Sequence, residues 1–229
     1  MDLTPDEKIF WQWEFITINA TLVFTWMVMA ILLIFSWLIT RKLSSDVNIS
    51  RGQHLLESIV IFIREQIRDV MRRDPSPFLP FIGTLGLFIS LSNLLGVVPF
   101  YEPPTSSLST TAALATCAFL AVPVYGIYEA GVKGYLKHYI TPSPFMLPFL
   151  VIGELSRTLA LAIRLFGNVL SGSLIAAILL TVAPLFFPVL TQLLDLIIGQ
   201  VQAYIFAILA TVYIGSGLRA QEQQREKQE

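Results

Sequence analysis

The residues best placed to do chemistry in this chain are Glu154, Arg157 and Arg164, set in a stretch from Gly153 to Gly172 whose other members are mostly apolar or small. An ionisable side chain at the centre of a bilayer costs roughly 3 kcal/mol on insertion scales, so it faces a partner, a water-filled cavity or an ion path. At helical spacing Gly153, Arg157, Ala160, Arg164, Gly167, Asn168 and Ser171 share one face. Leu155, Leu159, Ala162, Ile163, Phe166 and Leu170 lie mostly away from it. The small neighbours leave the Arg164 guanidinium uncovered and let another helix or a moving partner approach closely. Two plainer readings stand beside this one. Arg164 can be a static ion-pair partner inside a bundle, or it can snorkel from near a helix end. The second fits poorly, because apolar residues run on for about two turns before Arg164 and more than two after it. No single acidic residue is fixed by the sequence as its counter-charge, and Glu154 has a nearer partner in Arg157 at i+3.

A second polar set follows. Gln192, Asp195, Gly199 and Gln202 are spaced three, four and three apart, so they form one stripe on an otherwise apolar helix. A hairpin through Ala183 to Pro188 sets that stripe against the face bearing Arg164 and Asn168. A buried cation surrounded by amides, hydroxyls and carboxylates can pass ions through water, and it favours the ionised form of a carboxylate brought near it. Other chemistries are poorly supplied. No GxxxxGK[ST] loop is present for nucleotide phosphates. The single Cys117 excludes an internal disulfide, and with only His54 and His138 neither a metal site nor a hydrolase triad is expected. No cofactor is implied.

The elements that must position these residues are membrane helices. Of 229 residues 55% are hydrophobic and only 14% charged, with a mean hydropathy of +0.69, whereas soluble domains carry about 25% charged residues. A net charge of −1 argues against nucleic-acid binding. The reading is an all-α membrane protein in one domain over 1–229, with about five spans near 15–39, 78–98, 108–131, 149–182 and 188–218. The last two are long and tilted, since 34 residues make roughly 50 Å against a 30 Å hydrocarbon layer. Residues 52–73 carry Leu56, Ile59, Ile63, Ile67 and Val70 at helical spacing among many charges, which predicts an amphipathic helix on the cytoplasmic surface. The acidic lead before residue 15 and Arg41 with Lys42 after the first span place the N-terminus outside, and the tail with Arg219, Arg225 and Lys227 is cytoplasmic. The first span is a retained helix, not a cleaved signal. Asn93, the one amide in the second span, reads as an interhelical hydrogen bond.

Three stretches in register carry a resemblance. Arg164-Leu165-Phe166-Gly167-Asn168 with Ser171-Gly172, Gln202-Ala203-Tyr204-Ile205-Phe206 with Tyr213-Ile214, and Ser90 to Pro99 with Pro104-Thr105 resemble subunit a of the rotary F-type ATP synthases. The stretch Gly153 to Asn168 is also similar to the alternate, N-type ATPases of some bacteria. The resemblance implies a stator that holds a rotating c-ring, with b subunits of the peripheral stalk and the F1 head as further partners. It implies that Arg164 is the essential cation facing the ring carboxylate, and that Asn168 and Gln202 help line the path of protons or sodium ions. Ser173 and Asp195 depart from the common pattern, in which an acidic residue and a histidine often hold those positions. Asp195 is therefore expected as the main carboxylate of the outer half-channel, with Glu154 a second candidate. The chain itself is not expected to be catalytic, and a bacterial inner membrane is expected because no organelle transit segment is present. The alternatives are an ion-coupled secondary transporter, which usually shows internal repeats, and a non-conducting scaffold, which leaves Arg164 without a purpose.

Overall fold

A computed structural model describes residues 9–13, 16–41, 51–98, 101–140, 147–182 and 187–226. Six helices dominate these residues: α1 (Ala20–Thr40), α2 (Arg51–Met71), α3 (Leu79–Leu95), α4 (Leu108–Ile140), α5 (Leu147–Val182) and α6 (Phe187–Glu226). A small antiparallel ribbon, β1 (Ile9–Trp13) paired with β2 (Ile16–Asn19), precedes them. The first span expected from residue 15 therefore begins at Ala20. β-branched Ile16, Thr17 and Ile18 suit a strand, and Ile18 opposes Trp11 across the ribbon.

α3 ends at Leu95, three residues short of its expected limit, because Gly96 starts a turn in which its N–H bonds back to Asn93 O at 3.1 Å. α4 runs past residue 131, but Gly131 has φ +72, so a break divides the apolar part from the charged remainder. α5 has 36 residues, roughly 54 Å, and α6 has 40, roughly 60 Å. α6 continues eight residues beyond the expected 218, since Gln, Glu and Arg of the tail are good helix formers. Among the described residues, Ala20–Thr40, Leu108–Glu129 and Val189–Arg219 are long and apolar enough to cross a bilayer, and Leu79–Leu95 is a shorter apolar helix.

α6 is the hub, packing against α2, α3, α4 and α5. One core joins Ile89 of α3, Ala115 of α4, Leu161 and Leu165 of α5 and Phe206 of α6; a second joins Ile67 and Met71 of α2 to Phe78, Ile82, Ala121 and Ile214. Small residues set the spacing. A methyl on Gly86 would stand 3.3 Å from Ala207 Cβ, and one on Gly217 would stand 3.0 Å from Val122 Cγ1.

α2 lies across the ends of several helices. Gly52 approaches Ile39 near the end of α1, Ile63 meets Gly83 near the start of α3, and Met71 meets Gly215 late in α6. Arg219 donates to Val70 O at 2.6 Å, satisfying a carbonyl at the end of α2. Arg73 pairs with Glu129 of α4 at 2.8 Å. The break after α2 falls at the expected Asp74-Pro75-Ser76-Pro77. Arg72 takes a left-handed φ of +56, and the Ser76 hydroxyl donates to the Asp74 carboxylate at 2.8 Å. That bond and the Ser76 N–H hold the Asp74 carboxyl below its ordinary range.

Candidate functional site

α5 buries one side only. Leu161, Ala162 and Leu165 face the bundle, while Gly153, Arg157, Ala160, Arg164 and Ser171 are exposed. The buried positions recur at one and four residues, the period of a single helical face, so the sequence forces the arginines to the open side. Among the described residues, and apart from their own stretch of helix, nothing lies within 4 Å of the points where Cβ atoms would stand on Gly153 and Gly167. Arg164 thus projects from a surface of small residues, and among the described residues it has no hydrogen bond or ion pair. Asn168 is half-buried one turn further on.

Two contacts fix α5 against α6. At one, Asp195 lays its carboxylate on Gly172: a methyl group there would be 2.8 Å from Asp195 Cγ and closer still to Oδ1. Only glycine leaves that space. At the other, the Arg157 guanidinium lies over the Tyr213 ring, 5.8 Å from its centre, within the range of a cation–π contact. Arg157, at i+3 from Glu154 along α5, thus also reaches across to α6. Glu154 is half-buried, and its backbone carbonyl accepts from Thr158 Oγ1 at 3.0 Å. The side chain of Ser173 lies outside the described residues.

The stripe on α6 does not face α5 as a unit. Asp195 meets α5, but Gly199 meets α3, where its carbonyl accepts from Asn93 Nδ2 at 2.8 Å. Gln192 is exposed. The stripe divides because α6 packs between two partners and a row of residues about 80° wide spans both seams. Gln202 is buried, 6% exposed, and its Nε2 has no hydrogen-bond partner among the described residues. Pairing Gly172 with Asp195 and Arg157 with Tyr213 sets an antiparallel register, in which Arg164 falls level with Tyr204 and Ile205 and Gln202 lies within one turn of that level.

Asn93 forms the interhelical bond expected of it and also accepts from Thr105 Oγ1 at 2.8 Å, tying the loop before α4 to the α3–α6 seam. Beside it Ser90 Oγ donates to Gln200 Oε1 at 2.5 Å, and Gln200 Nε2 donates to Ser90 O at 2.9 Å. Burial pushes the Tyr101 phenol well above its usual range; the Ser92 hydroxyl beside it pulls the other way without closing a hydrogen bond. The reading from sequence missed the Ser90–Gln200 pair and the need for glycine at 172 and 199. For the glycines the signal was the small residue itself, at helical positions where a close approach is possible.

Asn93→Ala is expected to destabilise the chain by about 1–2 kcal/mol, because it leaves the buried Thr105 Oγ1 without its acceptor and removes the hydrogen bond that ties α3 to α6. Gly199→Val should cost more. Its Cβ would stand 2.9 Å from Asn93 Cβ, so α3 must move off α6. Thermal unfolding midpoints of the purified complex, wild type beside each variant, check both the direction and the order.

Residues 22–215 match the family model described as ATP synthase A chain. The chain is 60% identical over 216 residues to ATP synthase subunit a 2 of Acaryochloris marina, covering 94% of this chain and 92% of that protein. It is 57% identical over 222 residues to ATP synthase subunit a 1 of Chlorobaculum parvum, covering 97% and 98% of the two chains. It is 55% identical over 226 residues to ATP synthase subunit a of Albidiferax ferrireducens, with 99% and 98% covered.

Proposed function

From the premise that this chain belongs to the ATP synthase subunit a family and is the stator of the Fo membrane sector, we propose that Arg164 is the cation on which its ion translocation turns. The observation that carries the proposal is the placement of Arg164: exposed, unpaired among the described residues, and set on an open face of small residues midway along the α5–α6 contact. A c-ring against that face presents its carboxylates to Arg164. Each passing carboxylate is held ionised while it stands opposite the guanidinium, so it gives up its ion on one side and takes one on the other. The fixed positive charge repels cations and opposes a direct leak between the two sides.

Around this centre Gln202, within a turn of the level of Arg164 and with an amide nitrogen unpartnered among the described residues, and Asn168, one turn away, line the path. Asp195 and Ser173 serve the outer half-channel, and Glu154 is the second carboxylate available to it. The coupling ion is a proton or sodium. The peripheral-stalk b subunits and the F1 head complete the assembly, and this chain holds no nucleotide site of its own.

The chain forms a single membrane domain of five spans in a bacterial inner membrane, with α2 on the cytoplasmic surface, the N-terminus outside and the C-terminus inside. The strap formed by α2 supports this orientation. It meets the end of α1, the start of α3 and the late part of α6, so those three ends lie together at one side of the bundle, as this topology requires. Arg41, Arg73 and Arg219 lie at that same side, which the positive-inside rule assigns to the cytoplasm.

The test is ATP-driven ion pumping in inverted membrane vesicles holding the complete complex, read by a pH dye and a sodium assay together. Pumping that needs the ring and the ATPase head agrees with a stator, and the responding assay identifies the ion. Ion-coupled solute uptake by this chain alone would instead establish a secondary transporter.

A further inference from the structure

Of the charged side chains on the open face of α5, Arg157 is held and Arg164 is not. Arg157 stands two helical turns before Arg164 on the same face, yet its guanidinium is directed across the seam onto Tyr213 of α6. Tyr213 is half-buried and packed against the main core of the bundle, so the ring is a fixed platform. The second α5–α6 contact, Gly172 on Asp195, lies on the far side of Arg164. Arg164 is seven residues from Arg157 and eight from Gly172, nearly the midpoint between the two.

We propose that Arg157 is a positioning residue, which pins α5 to α6 through the Tyr213 ring so that Arg164 keeps its level beside Gln202 when the ring moves past. The proposal rests on the translocation reading given above for Arg164. The buried side of α5 stays packed on α4 and the core through Leu161 and Leu165, but without the pin its polar side is tied to α6 only beyond Arg164, at the Asp195 contact. Arg164 can then drift about its helix axis, and even a small rotation turns its guanidinium from the open face toward a neighbour. The contact depends on the ring and the cation and not on the phenol hydroxyl, because the attraction arises from the ring quadrupole.

ATP-driven pumping by the whole complex in inverted vesicles tests this, with the amount of chain in the membrane measured for each variant. Arg157→Met, which keeps an apolar stem but removes the charge, and Tyr213→Leu should each lower pumping about fivefold, roughly the worth of one partly exposed cation–π contact. The double variant should be no worse than either single one. Tyr213→Phe should pump within about twofold of wild type, since it keeps the ring. Loss of pumping in Arg157→Met with normal pumping in Tyr213→Leu would overturn the proposal, placing the guanidinium on the ion path itself. So would a Tyr213→Phe variant as poor as Tyr213→Leu. Normal pumping in Arg157→Met beside a silent Arg164→Ala overturns this inference alone; normal pumping in Arg164→Ala overturns the translocation reading and this one with it.

Discussion

Arg164→Ala abolishes ATP-driven ion pumping while the complex still assembles. The assembly half of this expectation comes from exposure: Arg164 contributes to no core cluster, and among the described residues no hydrogen bond or ion pair is lost with it. The pumping half comes from charge. A carboxylate passing a neutral alanine has nothing to favour its ionised form in a low-dielectric setting, so it keeps its ion and carries it round. The barrier to direct ion leak falls at the same time, so passive flux through vesicles stripped of the ATPase head should rise. Arg164→Lys is expected to recover only part of the function. It keeps the charge but loses the planar five-donor fork that holds a carboxylate in fixed geometry. Wild-type pumping in the alanine variant would make Arg164 a structural residue and remove the mechanism proposed here.

Asp195→Asn lowers pumping by at least about tenfold, below the roughly hundredfold that an obligatory proton carrier contributes. Asparagine has nearly the same shape, so the fit against Gly172 is retained and the loss reports the titrating group. Gly172→Val separates fit from chemistry. Its Cβ overlaps the Asp195 carboxylate and forces the seam apart, which should lower both thermal stability and pumping. Combining Gly172→Val with Asp195→Ala removes the overlap and should restore much of the stability, though not the pumping. Intact ion flux in Asp195→Asn would assign the outer carboxylate elsewhere, with Glu154 the first place to look.

What could be read from the sequence followed the cost of polar atoms in hydrocarbon. Arg164 and Asn93 each stand out in an apolar run, and the structure places one on the open face of α5 and the other bonded across the α3–α6 seam. The helices were legible for the same reason, since long apolar runs bounded by proline, glycine and charge admit few other structures. Pairing was less legible. Residues 195 and 199 lie on one stripe by spacing, yet they serve different neighbours, because which helix flanks which is decided by packing and not by period. Spacing along the helix sets Arg157 one turn from Glu154, but its contact with Tyr213 depends on the approach of α6 and leaves no signal in the sequence. The tail beyond 218 lacks apolar residues and so looked like an end, although its composition suits a helix that needs no membrane.

The central position of α6 has a mechanical consequence. A stator is a bearing, and its working face takes a sideways load each time the rotor steps. On the translocation reading proposed for Arg164, α5 carries that face, but a single helix is a slender beam that bends easily across its axis. α6 lies behind it along much of its length and is itself braced by α2, α3 and α4. Load received at Arg164 therefore passes into α6 and α4, and through α6 into α3 and α2. Stiffness at the one place where it is needed comes from this arrangement of supports, and the arginine can remain unencumbered because the helix behind it does the holding.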